Sequence, residues 1–324
     1  MSKAILVREH GGPNVMKWED VAAGKPKRGE VLIRHHAVGL NYIDTYFRSG
    51  LYKPAALPFV PGNEGAGEVL AVGAGVKDLK VGDRVAYAGP IGSYSEERTI
   101  AADQVVKLPK TVSYDVASSI MLKGMTAQYL LRRTFRVKKG DTILFHAAAG
   151  GVGLMACQWA NALGATVIGT VGSKEKAKLA KAHGCHHVIN YREKNFVDEV
   201  RRITKKQGVD VVYDGVGKDT FPGSLDCLKP LGMWVLFGAS SGPVPPIDLG
   251  LLAQKGSLFA TRPTLFTYVA KREDLVKTAR ELFKVVGDGT VKVEINQRYA
   301  LKDAGRAHAD LENRKTTGAT VFTL

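Results

Sequence analysis

Cysteine is scarce in this chain. There are three in 324 residues, Cys157, Cys185 and Cys227, far apart and odd in number. That argues against a disulfide-stapled secreted scaffold and for free thiols in a reducing, cytoplasmic setting. No run of about 18 apolar residues occurs, so no membrane span is expected. The apolar stretch near the start, Ala4 to Val7, is too short for a signal peptide and reads as a first strand. Internal repeats and low-complexity tracts are also missing. Acidic residues are in deficit, 31 against 46 basic ones, for a net charge of +15, yet no block of Arg and Lys is present. The excess favours anionic partners: a phosphorylated cofactor, an acyl carrier or nucleic acid. A nucleic-acid role has only the charge behind it, because basic and aromatic residues do not interleave and no nucleic-acid motif is present. A cationic surface that keeps the protein dispersed explains the spread as well.

What the chain does have is a glycine turn in an informative setting, Asp141-Thr-Ile-Leu-Phe-His-Ala-Ala-Ala-Gly-Gly-Val-Gly153. Thr142 to Ala147 reads as a buried strand, Ala148 to Gly153 as a small-residue turn and Leu154 to Leu163 as a helix. Strand, glycine turn and helix open a dinucleotide-binding unit. Gly150 lets the backbone approach a pyrophosphate, and Gly153 lets the helix pack close to the strand. The helix start offers unpaired N–H groups and a positive dipole end to phosphate. The first fingerprint position is Ala148, so the match is Ala-x-Gly-x-x-Gly.

Before this unit the chain is β-rich. Short β-branched runs (Ala4–Val7, Val31–Val38, Gly65–Val72, Arg84–Ala88) are bounded by Gly or Pro, as in a compact, partly open barrel. Asn41 to Tyr52 reads as a short helix and loop. Ser113 to Arg132 reads as helical, with Gly124 allowing two helices. From Thr142 onward strands and helices alternate: strands at Thr142–Ala147, Thr166–Val171, His187–Ile189, Val209–Tyr213, Met233–Phe237 and Ser257–Ala260, and helices at Val152–Leu163, Lys174–His183, Phe196–Thr204, Thr220–Leu228 and Leu249–Gln254. Six strands separated by helices give a doubly wound parallel sheet in an α/β protein. After Arg262-Pro263 come a helix (Arg272–Val286), a strand-like Val291–Ile295, a helix (Ala304–Glu312) and a closing strand (Ala319–Phe322). This tail is expected to rejoin the first domain, giving 1–125 as its first part, 126–262 as the nucleotide-binding domain and 263–324 as the return, with a cleft between the lobes.

An acidic residue at the tip of the second strand would mark NAD selectivity, and it is missing. The segment Val171-Gly-Ser-Lys-Glu-Lys176 places Ser173 and Lys176 there instead. A hydroxyl and an ammonium suit a 2′-phosphate, so NADPH is expected over NADH. Glu175 is expected to turn away.

The ordered motifs Ala37-Val-Gly-Leu-Asn-Tyr-Ile-Asp44, Pro61-Gly-Asn-Glu-Gly-Ala-Gly67, Val81-Gly-Asp-Arg-Val85, Leu122-Lys-Gly-Met-Thr126, Ala147–Gly153, Val188-Ile-Asn-Tyr191, Val211–Gly217 and Phe237–Gly242 resemble the medium-chain dehydrogenase/reductase superfamily, and within it the zinc-free NADPH:quinone oxidoreductases of the zeta-crystallin type. The resemblance runs nearly end to end. It implies a GroES-like β-barrel domain built from both ends of the chain, a six-stranded Rossmann domain between, and a homodimer. It places the nicotinamide near Asn41, Ile43, Tyr46, Thr126 and Tyr129, and the pyrophosphate at Gly151 and Val152. Ser173, Lys176 and Tyr191 meet the 2′-phosphate end, and Phe237, Gly238, Ser240, Pro263 and Arg314 complete the pocket. Ala239 stands where relatives often carry Asn.

Zinc ligands are the last absence. The positions that hold the catalytic ion in zinc alcohol dehydrogenases of the superfamily read Asn41, Asn63 and Lys123, with Glu64 retained beside them. Amides are poor ligands and an ammonium repels the ion, so no metal is expected. Of the histidines, His35 and His36 should point to opposite faces of a strand. His146 is expected to be buried and hydrogen-bonded, and Cys185-His186-His187 to have structural or surface roles. Without a metal the acceptor must already be electron-poor, and a quinone fits. Tyr42, Tyr46, Tyr52 and Leu265 are candidates to line its pocket, and Asn41 and Tyr52 to donate hydrogen bonds. Asn41-x-x-Asp44…Gly50-Leu-Tyr52 also resembles the loop of medium-chain 2-enoyl thioester reductases, where the matching tyrosine donates a proton. Reduction of activated C=C bonds, in enones or enoyl thioesters, is therefore the alternative.

Overall fold

The computed structural model describes residues 2–324. Two compact units divide the chain. One runs to Met125 and resumes over Val269–Gly287 and Val293–Leu324; the other comprises Thr126–Tyr268 and Asp288–Lys292.

The first unit is organised on the strand Glu30–Leu40, whose buried and exposed residues alternate over its first half and are buried throughout its end. It pairs antiparallel with Glu64–Val72, with Glu97–Ala101 and, through Thr320↔Leu40, with the closing strand Ala319–Thr323. Arg84–Ala88, Val106–Lys107 and Ile295–Ala300 complete a seven-stranded sheet. The runs Met16–Val21, Glu97–Ala101 and Val106–Lys107 are strands that the patterning did not single out. Val291–Ile295 is not the strand expected there. Pairing begins at Ile295, where Ala319–Thr323 supplies a parallel partner. Gly39 is a point of close approach: a Cβ there would collide with the Ser118 carbonyl and lie 2.6 Å from a Glu64 carboxylate oxygen. Its bare backbone lets the helix Tyr114–Tyr129 and Glu64 come together.

In the second unit six parallel strands run in the order His187–Asn190, Thr166–Val171, Thr142–Phe145, Val209–Asp214, Leu228–Leu236 and Phe259–Thr261, the doubly wound sheet expected from the alternation. Leu144, Ile168, Val212 and Trp234 lie in its core. Three details differ from the sequence reading. The fifth strand starts at Leu228, upstream of Met233, because Pro230-Leu231-Gly232 forms an irregularity within the strand, with Leu231 at φ 63°, and does not end it. The helix before it shrinks to Gly223–Asp226. Gly124 does not divide its helix, which runs from Tyr114 to Tyr129 and continues as a π-helical turn over Leu130–Thr134. Burial of that segment overrides the low helix propensity of glycine. Among the described residues no helix is long and apolar enough to cross a membrane.

Candidate active site

In the first unit the candidate residues gather on the helix Tyr42–Ser49 and the loop after it. Asn41 precedes the helix. Its backbone N–H donates to the Asp44 carboxylate at 2.9 Å, and the Asp44 N–H donates back to the Asn41 carbonyl at 3.0 Å. Tyr42, Tyr46 and Tyr52 form an aromatic row, with edge-on contacts of 5.6 and 5.2 Å between centroids, and Phe47 meets Tyr52 at 5.8 Å. Ile43 is half-buried on the same helix. Arg314 follows the C-terminal helix in a left-handed backbone conformation, and its charge is felt by the Tyr42 hydroxyl. Asn41, Ile43, Tyr42, Tyr46, Tyr52 and Arg314 thus belong to one neighbourhood.

Behind this helix lie two buried carboxylates. Glu64 is fully buried. One of its oxygens accepts from Asn41 Nδ2 and from Lys123 Nζ, each at 2.8 Å, and the other accepts from the Leu122 N–H at 2.8 Å. The Asn41 amide also reaches the Gly39 carbonyl at 3.4 Å. Both its hydrogens therefore face protein acceptors, which argues against Asn41 as a donor to a substrate. Asp44 accepts from Asn63 Nδ2 at 2.7 Å and from the Tyr94 hydroxyl at 2.9 Å. Tyr94 in turn meets His308 Nε2 at 3.1 Å, and His308 Nδ1 faces Arg48, which grips Glu312 with two hydrogen bonds of 2.7 and 3.1 Å. Burial holds His308 down to about 3, so it is neutral. An Arg48 N–H donating to Nδ1 fixes its Nε2–H tautomer, and donors then point inward along the chain to Asp44.

Burial raises the Asp44 carboxyl to about 6, against the hydrogen bonds from Asn63, Asn41 and Tyr94 that favour the ionised form. Its folded pKa lies above the ordinary 3.8, so the folded state holds the proton more tightly than the unfolded chain. Between about pH 6 and pH 4 this group therefore adds stability as pH falls, in total on the order of 3 kcal/mol. Denaturant unfolding at pH 7 and pH 4.5 should show wild type gaining on Asp44→Asn by that order. A gap between the two proteins that stays constant with pH would refute the assignment.

In the second unit the candidate residues lie at the C-terminal ends of the parallel strands, where open α/β sheets bind their ligands. Gly150 precedes the helix Gly151–Ala162, whose start has no side-chain cap. The first-turn N–H groups of Gly151 and Val152 are left for an anion. A Cβ on Gly153 would stand 2.6 Å from the carbonyl oxygens of both Ala147 and Ala148, so the helix sits tight on the turn. Ser173 caps the next helix by accepting the Lys176 N–H at 3.2 Å. Tyr191 lies over Gly172, its hydroxyl 2.5 Å from where a Cβ would be. Gly172, Ser173, Lys176 and Tyr191 thus form one corner. Glu175 lies exposed in the first turn of this helix, its carboxyl held low by the backbone N–H and by the nearby Ser173 side chain.

Phe237 and Gly238 both donate their N–H to the Asp214 carbonyl, and Ser240 donates to that of Gly215. Phe237 contacts Phe145, with centroids 5.7 Å apart. Thr126 and Tyr129 are buried on their helix, and the Tyr129 ring stacks on Tyr268 at 4.5 Å. Pro263 is buried just beyond the strand Phe259–Thr261, and Leu265 is buried two residues later.

Sequence reasoning gave no role to Asp214, although it stands in a quoted motif. It accepts from the N–H groups of Val216 and Gly217, from Thr220 and Ser224 hydroxyls and from the Trp234 indole. Burial pushes this carboxyl up, but His146 and those donors outweigh it and hold it below the usual carboxylate range. It fixes the loop that seats Phe237 and Gly238. His146 is buried, bonded to Thr170 and Ser224. His35 is buried between the Ser95 carbonyl and Tyr87, while His36 stacks on Tyr114 at 4.2 Å. His186 accepts the Val167 N–H. Among the described residues no three His, Cys, Asp or Glu side chains converge as a metal site.

The alcohol dehydrogenase GroES-like domain family matches residues 27–110, and the zinc-binding dehydrogenase family matches residues 151–284. A quinone oxidoreductase of Pseudomonas aeruginosa is 52% identical over 323 residues, 99% of each chain. A 2-haloacrylate reductase of a Burkholderia species is 45% identical over 332 residues, again 99% of each chain. The crystal structure of Escherichia coli quinone oxidoreductase complexed with NADPH superposes with a TM-score of 0.98 at 48% identity, covering 99% of this chain and 100% of that one.

Proposed function

This chain belongs to the quinone oxidoreductase family of the medium-chain dehydrogenase/reductases, and from that premise we propose that it reduces quinones with NADPH and without zinc. The carrying observation is the buried ion pair between Lys123 and Glu64, 2.8 Å apart with 6% and 0% of their side chains exposed. By the family resemblance Lys123 stands at one of the positions, with Asn41 and Asn63, where zinc relatives hold their ion, and Glu64 follows another. Two amides and an ammonium, each already bonded to a carboxylate, do not fit a zinc ion, whatever the description of the family matching residues 151–284. No oxygen can then be polarised by a metal there, so an alcohol is a poor substrate and an electron-poor ring a good one.

The residues present do fit NADPH. When bound it supplies a hydride. The uncapped helix start at Gly151 and Val152 receives its pyrophosphate. Ser173, Lys176 and Tyr191 receive the 2′-phosphate, with Glu175 engaged by the Ser173 side chain beside them. By the family resemblance, Asn41, Ile43, Tyr46 and Arg314 in the first unit, and Thr126, Tyr129, Phe237, Gly238, Ser240 and Pro263 in the second, are the further residues proposed to contact NADPH. The aromatic row of Tyr42, Tyr46 and Tyr52 orients a flat ring and keeps water away. Tyr52 is the hydrogen-bond or proton donor. The 45% identity to a 2-haloacrylate reductase favours activated C=C bonds as the second substrate class.

One experiment covers both readings: oxidation of NADPH and of NADH against a panel of quinones, enones and 2-haloacrylates, with NADP⁺ and simple alcohols as the reverse arm and metal analysis of the same preparation. Quinones with NADPH should turn over fastest and alcohols not at all. Faster turnover of enones or haloacrylates would favour the second class, and Tyr52→Phe should then lose most on those acceptors. Alcohol oxidation by a preparation carrying stoichiometric zinc would overturn the proposal.

A further inference from the structure

The mechanism above uses Lys123 only as an obstacle to metal, yet a buried ammonium is an expensive way to fill a space. Glu64 does not need it for saturation, because Asn41 and the Leu122 N–H already occupy both carboxylate oxygens. An ammonium carries three donor hydrogens. Among the described residues Lys123 has one acceptor, Glu64. The pair is therefore a dipole: the carboxylate is its negative end, and its positive end carries the N–H groups that Glu64 does not use. Asp44, whose carboxyl feels the Lys123 charge, lies in the same cluster. In so dry a setting a fixed charge acts more strongly than in water and needs no reorganisation when charge develops nearby.

We propose that Lys123 is the electrostatic residue of quinone reduction, its ammonium stabilising the acceptor oxygen as that oxygen gains negative charge, with Glu64 and Asn41 holding the ammonium in place. This rests on the reading that the acceptor is reduced beside Asn41. The electron balance is simple. The quinone takes a hydride, two electrons with one hydrogen, from NADPH, which becomes NADP⁺. The resulting hydroquinone anion takes one proton, from the Tyr52 hydroxyl or directly from solvent, and solvent restores any proton that Tyr52 gives up. Lys123 keeps its own protons throughout, and its contribution is charge alone.

The test follows from what a charge does and a spacer does not. A stabilising charge matters most for acceptors that are hardest to reduce. The double variant Lys123→Met/Glu64→Gln removes both charges of the pair, so neither member is left buried without its partner. Its kcat should be measured with wild type across a series of quinones graded by reduction potential. The expected loss is about 100-fold for the weakest acceptors and under about 10-fold for the strongest, with the KM for NADPH unchanged. A uniform loss across the series, or no loss, would overturn the inference. Wild-type rates on the same series report separately on quinone reduction itself. A second measurement needs no variant. In the presence of NADP⁺, wild type should bind ionised 4-nitrophenol at least about 10-fold more tightly than neutral phenol. Equal affinities would also overturn it.

Discussion

Glu64→Gln should lose about 3–5 kcal/mol of folding stability, because it strands the Lys123 ammonium in a dry interior. The neutral amide presents one acceptor oxygen to three donors, Asn41 Nδ2, Lys123 Nζ and the Leu122 N–H, and turns its own NH₂ toward at least one of them. Lys123→Met should lose a similar amount for the mirror reason, leaving a fully buried carboxylate without its cation. The double variant should recover most of the combined loss, since two neutral side chains of similar size need no counter-charge. A double-mutant cycle from denaturant unfolding of the four proteins measures this directly. A coupling energy near zero, with the single losses simply adding, would show that the two charges are not a pair.

The second large effect belongs to cofactor binding. Gly153→Val should weaken NADPH by about 10- to 100-fold, read from a fluorescence titration. A Cβ there lies 2.6 Å from two backbone carbonyl oxygens and 2.8 Å from a third backbone atom, none of which can swing aside as a side-chain tip could. The helix Gly151–Ala162 must back away from the turn, at about 1–3 kcal/mol for overpacking of this kind. Its first-turn N–H groups then leave the phosphate position. Each 1.4 kcal/mol lost in binding is about tenfold in affinity. Gly287→Ala is the control: a Cβ there meets nothing within 4 Å, and affinity should be unchanged. Unaltered binding by Gly153→Val would mean that the helix start does not hold the cofactor.

These two sites differ in how far they could be read from the chain alone. The Gly150–Gly153 turn is local. Strand, turn and helix follow one another within a few residues, and each step leaves its own mark in side-chain size and hydrophobic period. Asp44 beside Asn41 is local too, a capping exchange three residues apart. The pairing of Lys123 with Glu64 spans 59 positions, and that of Tyr94 with His308 spans 214. Motif positions named Lys123 and Glu64 as neighbours of a missing ion, but nothing in a linear pattern says that they bond to each other. Tyr94 and His308 carried no signal at all, since a tyrosine and a histidine in unremarked segments look alike whether exposed or buried. Leu228–Leu236 was read short because Pro230 and Gly232 signal a turn, and a strand irregularity uses the same residues.

The strand Ala319–Thr323 pairs with Glu30–Leu40, nearly three hundred residues earlier in the chain. During synthesis the sheet of the first unit therefore waits, with one flank of Glu30–Leu40 bare, until residue 323 has left the ribosome. The second unit, almost all contained in Thr126–Tyr268, has its strands in hand well before that. Order of emergence thus favours the nucleotide-binding half maturing first. Through that interval the half-built sheet keeps an open edge that a chaperone, or another nascent chain, can meet before its own last strand does.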